Sequence, residues 1–295
     1  MNPTEISIDF TERPYIVIWE VTQACDLACV HCRANAQPNR NSLELSTEEG
    51  KRLMDEISRL QVPVLVLTDG DPIKRPDLFE LIVHARRVGV RVSLTPSATP
   101  LLRRDVMHRL KESGLARLAA SLDGSHRKVH DAFRAMSGSF DRTMEAIEWA
   151  NEIGLPVQIN TTFSRSNVED FDNIAALMET KQIALWSVFF LVPTGRGKIA
   201  DLLSAEEFEE LFAKLLSRIY RESPVFQQLR DDSQLRGKCG ACEYRRICGG
   251  SRARACSLTG DPLAEEPCCA YVPKNFSRHN VLPPQWRRPA GLHVL

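Results

Sequence analysis

No stretch of this 295-residue chain approaches the ~18 consecutive apolar residues that a membrane-spanning helix requires. The opening MNPTEISIDFTERP has no charged-then-apolar signal pattern. Net charge is also missing: 38 Lys and Arg balance 38 Asp and Glu, so no global attraction to nucleic acid or to an anionic membrane is expected. These absences lead to the expectation of a cytoplasmic protein whose partner is a small molecule or a peptide. Cysteine is absent from the whole interval 33–238, and all nine cysteines fall in two groups, at 25–32 and 239–269. In a reducing compartment such grouping points to metal or cluster ligation, not to a disulfide framework.

Short β-rich runs alternate with amphipathic helical patterns. Residues 15–21, 62–68, 90–95, 117–122, 157–163 and 185–192 read as strands, with five helical stretches between them. Ser46 or Thr47 is a helix N-cap with acidic residues following, and Gly89, Gly114 and Gly154 mark helix ends just before strands. Six successive β-α units predict an α/β fold with a parallel sheet, open or curved into a partial (β/α)6 barrel. The loops after the strands then gather on one face, where α/β enzymes place their chemistry. That face would collect Cys25, Asp69–Pro72, Thr95, Ser121, Asp123, Asn160–Thr162 and Pro193–Gly195.

The expected organisation is an N-terminal extension at 1–14, a core at 15–200, a helical connector at 201–235, a small cysteine-rich module at 236–272 and a tail at 273–295. The tail, with its PPQWRRPAG run, reads as loosely ordered.

Cys25-Asp-Leu-Ala-Cys29-Val-His-Cys32 places three thiolates on the loop after the first strand. Three ligands leave one iron of a four-iron cluster open, where a substrate can chelate. The alternative is a structural zinc site, which needs a fourth ligand nearby; His31 is adjacent.

This C-x3-C-x2-C loop resembles the signature of the radical S-adenosylmethionine (radical SAM) superfamily, and the resemblance extends over 15–200. It implies a six-unit partial barrel, a [4Fe-4S] cluster on Cys25, Cys29 and Cys32, and SAM as the chelating cofactor. Asp69-Gly70-Asp71-Pro72 is similar to the family's Gly-Gly-Glu/Asp-Pro segment, whose backbone binds the methionyl ammonium group. Asp69 stands where the family has glycine. Ser121 and Asp123 resemble the strand-four segment facing the ribose and the methionyl carboxylate. Asn160, Thr162 and Pro193 belong to segments that resemble strands five and six near the nucleoside. Read from the residues alone, polar groups after strands are equally caps and turn formers. His126 and His130, four apart on a helix, read as a solvated face in preference to a metal pair. The family's His-Asp pair, matched by His130-Asp131, implies a local structural role.

Cys239-Gly-Ala-Cys242-Glu-Tyr-Arg-Arg-Ile-Cys248-Gly-Gly, followed by Pro267-Cys268-Cys269, is a second metal module, for which zinc competes on spacing alone. It resembles the C-terminal auxiliary module of SPASM or twitch radical SAM enzymes, nearest to the haem-biosynthesis branch. The resemblance implies a second [4Fe-4S] cluster on Cys239, Cys242, Cys248 and Cys269. Cys256 and Cys268 have no counterpart there, and Cys268 competes with its neighbour as fourth ligand. Arg252 and Arg254 either pair with substrate carboxylates or offset thiolate charge. The connection from Gly197 to Cys239 is shorter than in relatives and has room for one helix.

The resemblance implies reductive cleavage of SAM to methionine and a 5′-deoxyadenosyl radical that modifies a tetrapyrrole or a peptide. The electron would come from a reductant such as flavodoxin or ferredoxin. The alternative is a non-catalytic iron-sulfur or zinc protein retaining the scaffold, suggested by Asp69 and the short connection.

Overall fold

The computed structural model describes residues 12–222, 224–267, 269–274 and 276. Expectations for residues 1–11, Cys268 and 277–295 lie outside them. Chain contacts group residues 8–206 into one compact unit and residues from 207 onward into another.

The first unit contains β1 (Ile16–Glu20), β2 (Val64–Thr68), β3 (Val92–Leu94), β4 (Arg117–Ser121), β5 (Val157–Phe163) and β6 (Leu185–Phe190). They form one parallel sheet in sequence order, curled into a half-barrel. Period-2 alternation sets its two faces. Leu65, Leu67, Leu118 and Ile159 are completely buried on the helix side. Neighbours of opposite parity, such as Thr68 and Ser121, face the concave side.

Helices α1 (Thr47–Arg59), α2 (Leu78–Arg87), α3 (Arg104–Ser113), α4 (Arg127–Arg134), α5 (Ser139–Glu152) and α6 (Phe171–Glu179) lie in the crossovers. Ser46 and Glu49 close a reciprocal capping box on α1, satisfying amides that the helix cannot. Gly50 lets that helix approach the sheet, since a Cβ there would lie 2.5 Å from the Trp19 ring.

The sequence reading expects five helical stretches between the strands; there are six helices, because the β4–β5 crossover is broken in two. Ala135 (φ +51) and Gly138 (φ +78) turn the chain there. Asp131 accepts from Gly138 N at 2.7 Å and from Phe140 N at 2.8 Å, which caps the start of α5. His130 is fully buried, contrary to the expected solvated face. Its Nδ1 accepts from Asp123 N at 3.1 Å, which fixes the neutral tautomer and leaves Nε2–H for Ser139 Oγ at 3.3 Å.

The second unit holds most of α7 (Ala205–Glu222), then α8 (Pro224–Arg230), α9 (Gly237–Gly240) and α10 (Arg252–Thr259). The connection from Gly197 to Cys239 thus carries two helices of useful length, where one was expected. Among the described residues no helix is long and apolar enough to cross a membrane.

Burial, reinforced by Arg134, holds the His130 pKa down from 6.5 to about 4. Above pH 6.5 both folded and unfolded states keep the ring neutral. As pH falls toward 4 the unfolded chain takes up a proton that the folded chain refuses, so stability drops, by up to about 3 kcal/mol. Denaturant titrations of wild type and His130→Asn across this range are expected to show a gap that shrinks as pH falls; a gap independent of pH would contradict the assignment.

Candidate active site

The thiol loop leaves the sheet at the end of β1 and returns to it. Ala24 bridges to Gln37, with Cys25 N donating to Gln37 O at 2.8 Å and Gln37 N to Gln23 O at 2.9 Å. Within the loop Cys32 N donates to Cys29 O at 3.3 Å, and Val30 N reaches Phe133 O of α4 at 3.1 Å. All three sulfur-bearing residues line one cleft of about 210 Å³, together with Asp69, Gly70, Ser97, Ser121, Arg134 and Arg196.

Cys25 Sγ accepts from Leu27 N and contacts Ser97 Oγ, each at 3.3 Å, and burial raises its thiol pKa. Cys29 Sγ accepts from Arg134 Nη1 at 3.7 Å, an ordinary distance for a sulfur acceptor, and the guanidinium charge acts across it. Arg134 in turn pairs with the fully buried Asp123. His31 packs on Phe133 with ring centroids 4.4 Å apart and planes tilted by 34°, and desolvation followed by Arg134 and Arg196 pulls its pKa down to about 3. It is a neutral wall of the loop.

The turn after β2 is the second wall. Gly70 has φ +55, and a Cβ there would meet Thr22 O at 2.5 Å and Ala24 O at 2.6 Å. Two backbones approach at a distance only glycine permits. Asp69 adopts φ +63, a left-handed conformation that Asp tolerates better than most residues. Its carboxylate pairs with Arg33 Nη2 at 2.8 Å, and Arg33 also pairs with Glu20. Burial and the nearby Glu20 push the Asp69 pKa up to about 6.

Asp71 is fully buried and turned away from the cleft. It accepts from Thr99 Oγ1 at 2.8 Å, Ile73 N at 3.2 Å and Ser97 N at 3.3 Å, while its own N–H donates to Ala24 O at 2.7 Å. Pro72 is buried beside it.

Of the nine expected cofactor-binding residues, Asp69, Gly70 and Ser121 line the cleft. Asp71, Pro72 and Asp123 stand behind it as framework, Asp123 accepting from Thr162 N at 2.8 Å. Asn160 and Thr162 are half-buried on β5, with Asn160 Oδ1 accepting from Gln158 Nε2 at 2.8 Å, and Pro193 is exposed. The sequence reading missed Ser97, Arg134 and Arg196. A serine two residues past Thr95 and arginines on α4 and past β6 are distant in sequence, and only the loop packing brings them together.

Cys239, Cys242, Cys248 and Cys269 line a second cleft, within the second unit, with Lys238 and Arg245. Cys239 is buried with Leu235 and Leu263, and its Sγ accepts from Glu266 N at 3.1 Å and from Arg252 Nη2 at 3.5 Å. Arg252 Nη1 is held by Ala264 O at 2.7 Å, and the buried Lys238 reaches Cys269 O at 2.5 Å. Cys256 lies on α10 and does not line this cleft.

Both donor sets fit iron-sulfur clusters. A cube seats each thiolate on a different iron, so its ligands stand around a cavity, whereas zinc draws four donors onto one point. Among the described residues no three His, Cys, Asp or Glu side chains converge on a single ion position. Around the first cleft Arg134 Nε and Arg196 Nη2 are buried with no hydrogen-bond partner in the protein, donor capacity suited to an anionic guest.

A parallel half-barrel that gathers three cysteines and three arginines, Arg33, Arg134 and Arg196, around one cleft at its loop face has the build of an α/β enzyme with a thiol-lined cofactor site. This chain belongs to the radical SAM superfamily, whose profile matches residues 19–178. Its members use a [4Fe-4S] cluster and SAM, and this chain is an enzyme of that family. The AdoMet-dependent heme synthase of Methanosarcina barkeri is 32% identical over 346 residues, covering 90% of this chain and 99% of that relative. Mycofactocin maturase MftC of Mycobacterium tuberculosis is 33% identical over 283 residues, covering 92% of this chain and 68% of the maturase. Streptococcus suis SuiB bound to S-adenosylmethionine has the same fold, with a TM-score of 0.63 at 18% identity over 72% of this chain. The matched region is 49% of SuiB, so this chain spans about half of that protein. Relatives named as synthases and maturases count against the non-catalytic alternative.

Gly70→Ala is expected to cost about 2 kcal/mol or more, from left-handed strain plus collision with two carbonyls. Gly89, with φ +82 but nothing within 4 Å of an added Cβ, isolates the strain alone. Anaerobic thermal unfolding of both alanine variants should show the larger loss at Gly70; equal losses would show that the close approach is not a constraint.

Proposed function

We propose that Cys25, Cys29 and Cys32 hold a [4Fe-4S] cluster, that SAM chelates its open iron, and that the reaction is carried out on a tetrapyrrole. The observation that carries the first part is the convergence of the three thiols with Gly70 on one cleft. When bound, the cluster and SAM supply a 5′-deoxyadenosyl radical by one-electron cleavage.

The chain's own residues then bind and orient. Gly70 lets the turn after β2 close against the start of the thiol loop, which sets that wall of the cleft, and Asp69 contributes the only carboxylate among the residues lining it. Ser121 contributes a hydroxyl from β4. Asp71, Pro72 and Asp123 keep these walls in register, while Asn160, Thr162 and Pro193 extend the site along β5 and past β6. Arg134 presents positive charge toward Cys29 and to an anionic end of the guest. Cys239, Cys242, Cys248 and Cys269 hold the second, auxiliary [4Fe-4S] cluster in a module spanning about 236–272. The reductant is a small electron-transfer protein such as flavodoxin or ferredoxin.

The tetrapyrrole reading draws on the heme synthase relative, matched along nearly its whole length. It also suits the concave face of the half-barrel. Ile16 and Ile18 at one edge and Leu185 and Phe189 at the other are exposed apolar side chains of the concave parity, with Arg117, Gln158 and Asn160 between. A flat apolar macrocycle bearing carboxylates meets both kinds of group. A peptide is the second reading, favoured by the maturase, which matches 92% of this chain.

Anaerobically reconstituted, dithionite-reduced protein is expected to form 5′-deoxyadenosine from SAM, and Cys29→Ala to form none. Absence of product from iron-verified wild type would sink the enzyme reading. Iron coproporphyrin added to the same protein is expected to shift its Soret band and to raise 5′-deoxyadenosine formation. No shift, with stimulation by a peptide instead, would replace the tetrapyrrole by the second reading.

A further inference from the structure

β1 and β6 are the two edges of the sheet and do not pair with each other. The segments that follow them are nevertheless bonded together. Gly195 has φ +61, and a Cβ there would lie 2.3 Å from Cys32 O and 2.4 Å from Arg33 O. Its backbone therefore rests directly on the thiol loop. Arg196 N donates to Cys32 O at 2.9 Å, Nε to Cys29 O at 2.9 Å and Nη1 to Ala36 O at 3.1 Å. One residue thus satisfies three loop carbonyls, two of which belong to thiol-bearing residues. A planar guanidinium fork delivers such bonds in fixed directions, which a lysine cannot do.

We propose that Gly195 and Arg196 form a clasp that sets the positions of Cys29 and Cys32, making Arg196 a positioning residue for the radical reaction. This rests on the assignment of Cys25, Cys29 and Cys32 to the first cluster. The clasp acts on backbone carbonyls, so it leaves the thiolates free for iron while removing the loop's freedom to spread. It also joins the loop face across the open side of the half-barrel, coupling the end of β6 to the cluster. A permanent positive charge is carried into the cleft that the three thiols line, and local charge is one of the quantities that set a cluster's reduction potential.

The test uses the anaerobic holoprotein and the variants Arg196→Gln, Arg196→Lys and Gly195→Ala. Wild type is expected to hold about eight irons per chain, from two four-iron clusters. Arg196→Gln and Gly195→Ala are expected to lose the first cluster's iron to a ferrous chelator about tenfold faster, as is usual when a supporting contact around a metal site is removed. Loss of the auxiliary cluster's iron should be unchanged. The first cluster should also titrate at a lower potential in Arg196→Gln, where charge is lost, than in Arg196→Lys, where charge is kept but the fork is not. Arg196→Lys, the mildest change, keeps the test open if the others do not fold: it should raise KM for SAM more than it lowers kcat. Wild-type iron retention, potential and KM in these variants would overturn the clasp. Failure of the underlying assignment would look different, with Cys29→Ala itself retaining wild-type iron.

Discussion

The loop face is organised around one buried carboxylate. Asp71 draws the turn after β2, the turn after β3 and the start of the thiol loop onto a single point, through Ser97, Thr99 and Ala24. Burial raises its pKa to about 6, so the position is costly to charge, and three hydrogen bonds to the carboxylate, from Thr99, Ile73 and Ser97, offset part of that cost. Ser97, fixed this way, bonds Gly70 O at 3.0 Å and touches Cys25. The placement of the first thiol is thus decided by a residue that does not line the cleft.

Much of the scaffold was legible in the sequence because it is written in local period. Alternating apolar runs located all six strands, and Ser46 and Gly114 announced helix ends by the hydrogen-bonding and dihedral needs of those ends. Spacing and placement of the cysteines located both thiol groups. What escaped was whatever depends on contact between distant segments. His130 looked like a surface residue because four-residue spacing says nothing of what packs above it, and the break between α4 and α5 came from Ala135 entering the left-handed region, which alanine composition does not signal. Arg196 was passed over because it follows a strand by several residues in a polar loop, and its partners lie more than 150 positions earlier.

The two cysteine sites differ in how their charge is handled. In the first, an arginine reaches one sulfur and a serine meets another, and the one carboxylate in the cleft is ion-paired to an arginine of the same wall. In the second, a main-chain N–H and an arginine both point at Cys239, with a buried lysine close by. Asp69 belongs to the first pattern. Its left-handed backbone gives the turn its shape, and Arg33 takes up its charge within one ion-paired group with Glu20.

The restraints on the thiol loop come from the polypeptide itself: the Ala24–Gln37 bridge at its base, Phe133 at one flank and Arg196 across its apex. In small zinc-dependent domains the metal gathers its own ligands and folding waits for it. Here the sheet and its crossovers carry part of the entropy of bringing three sulfurs together, so the shape of the loop does not rest on iron alone.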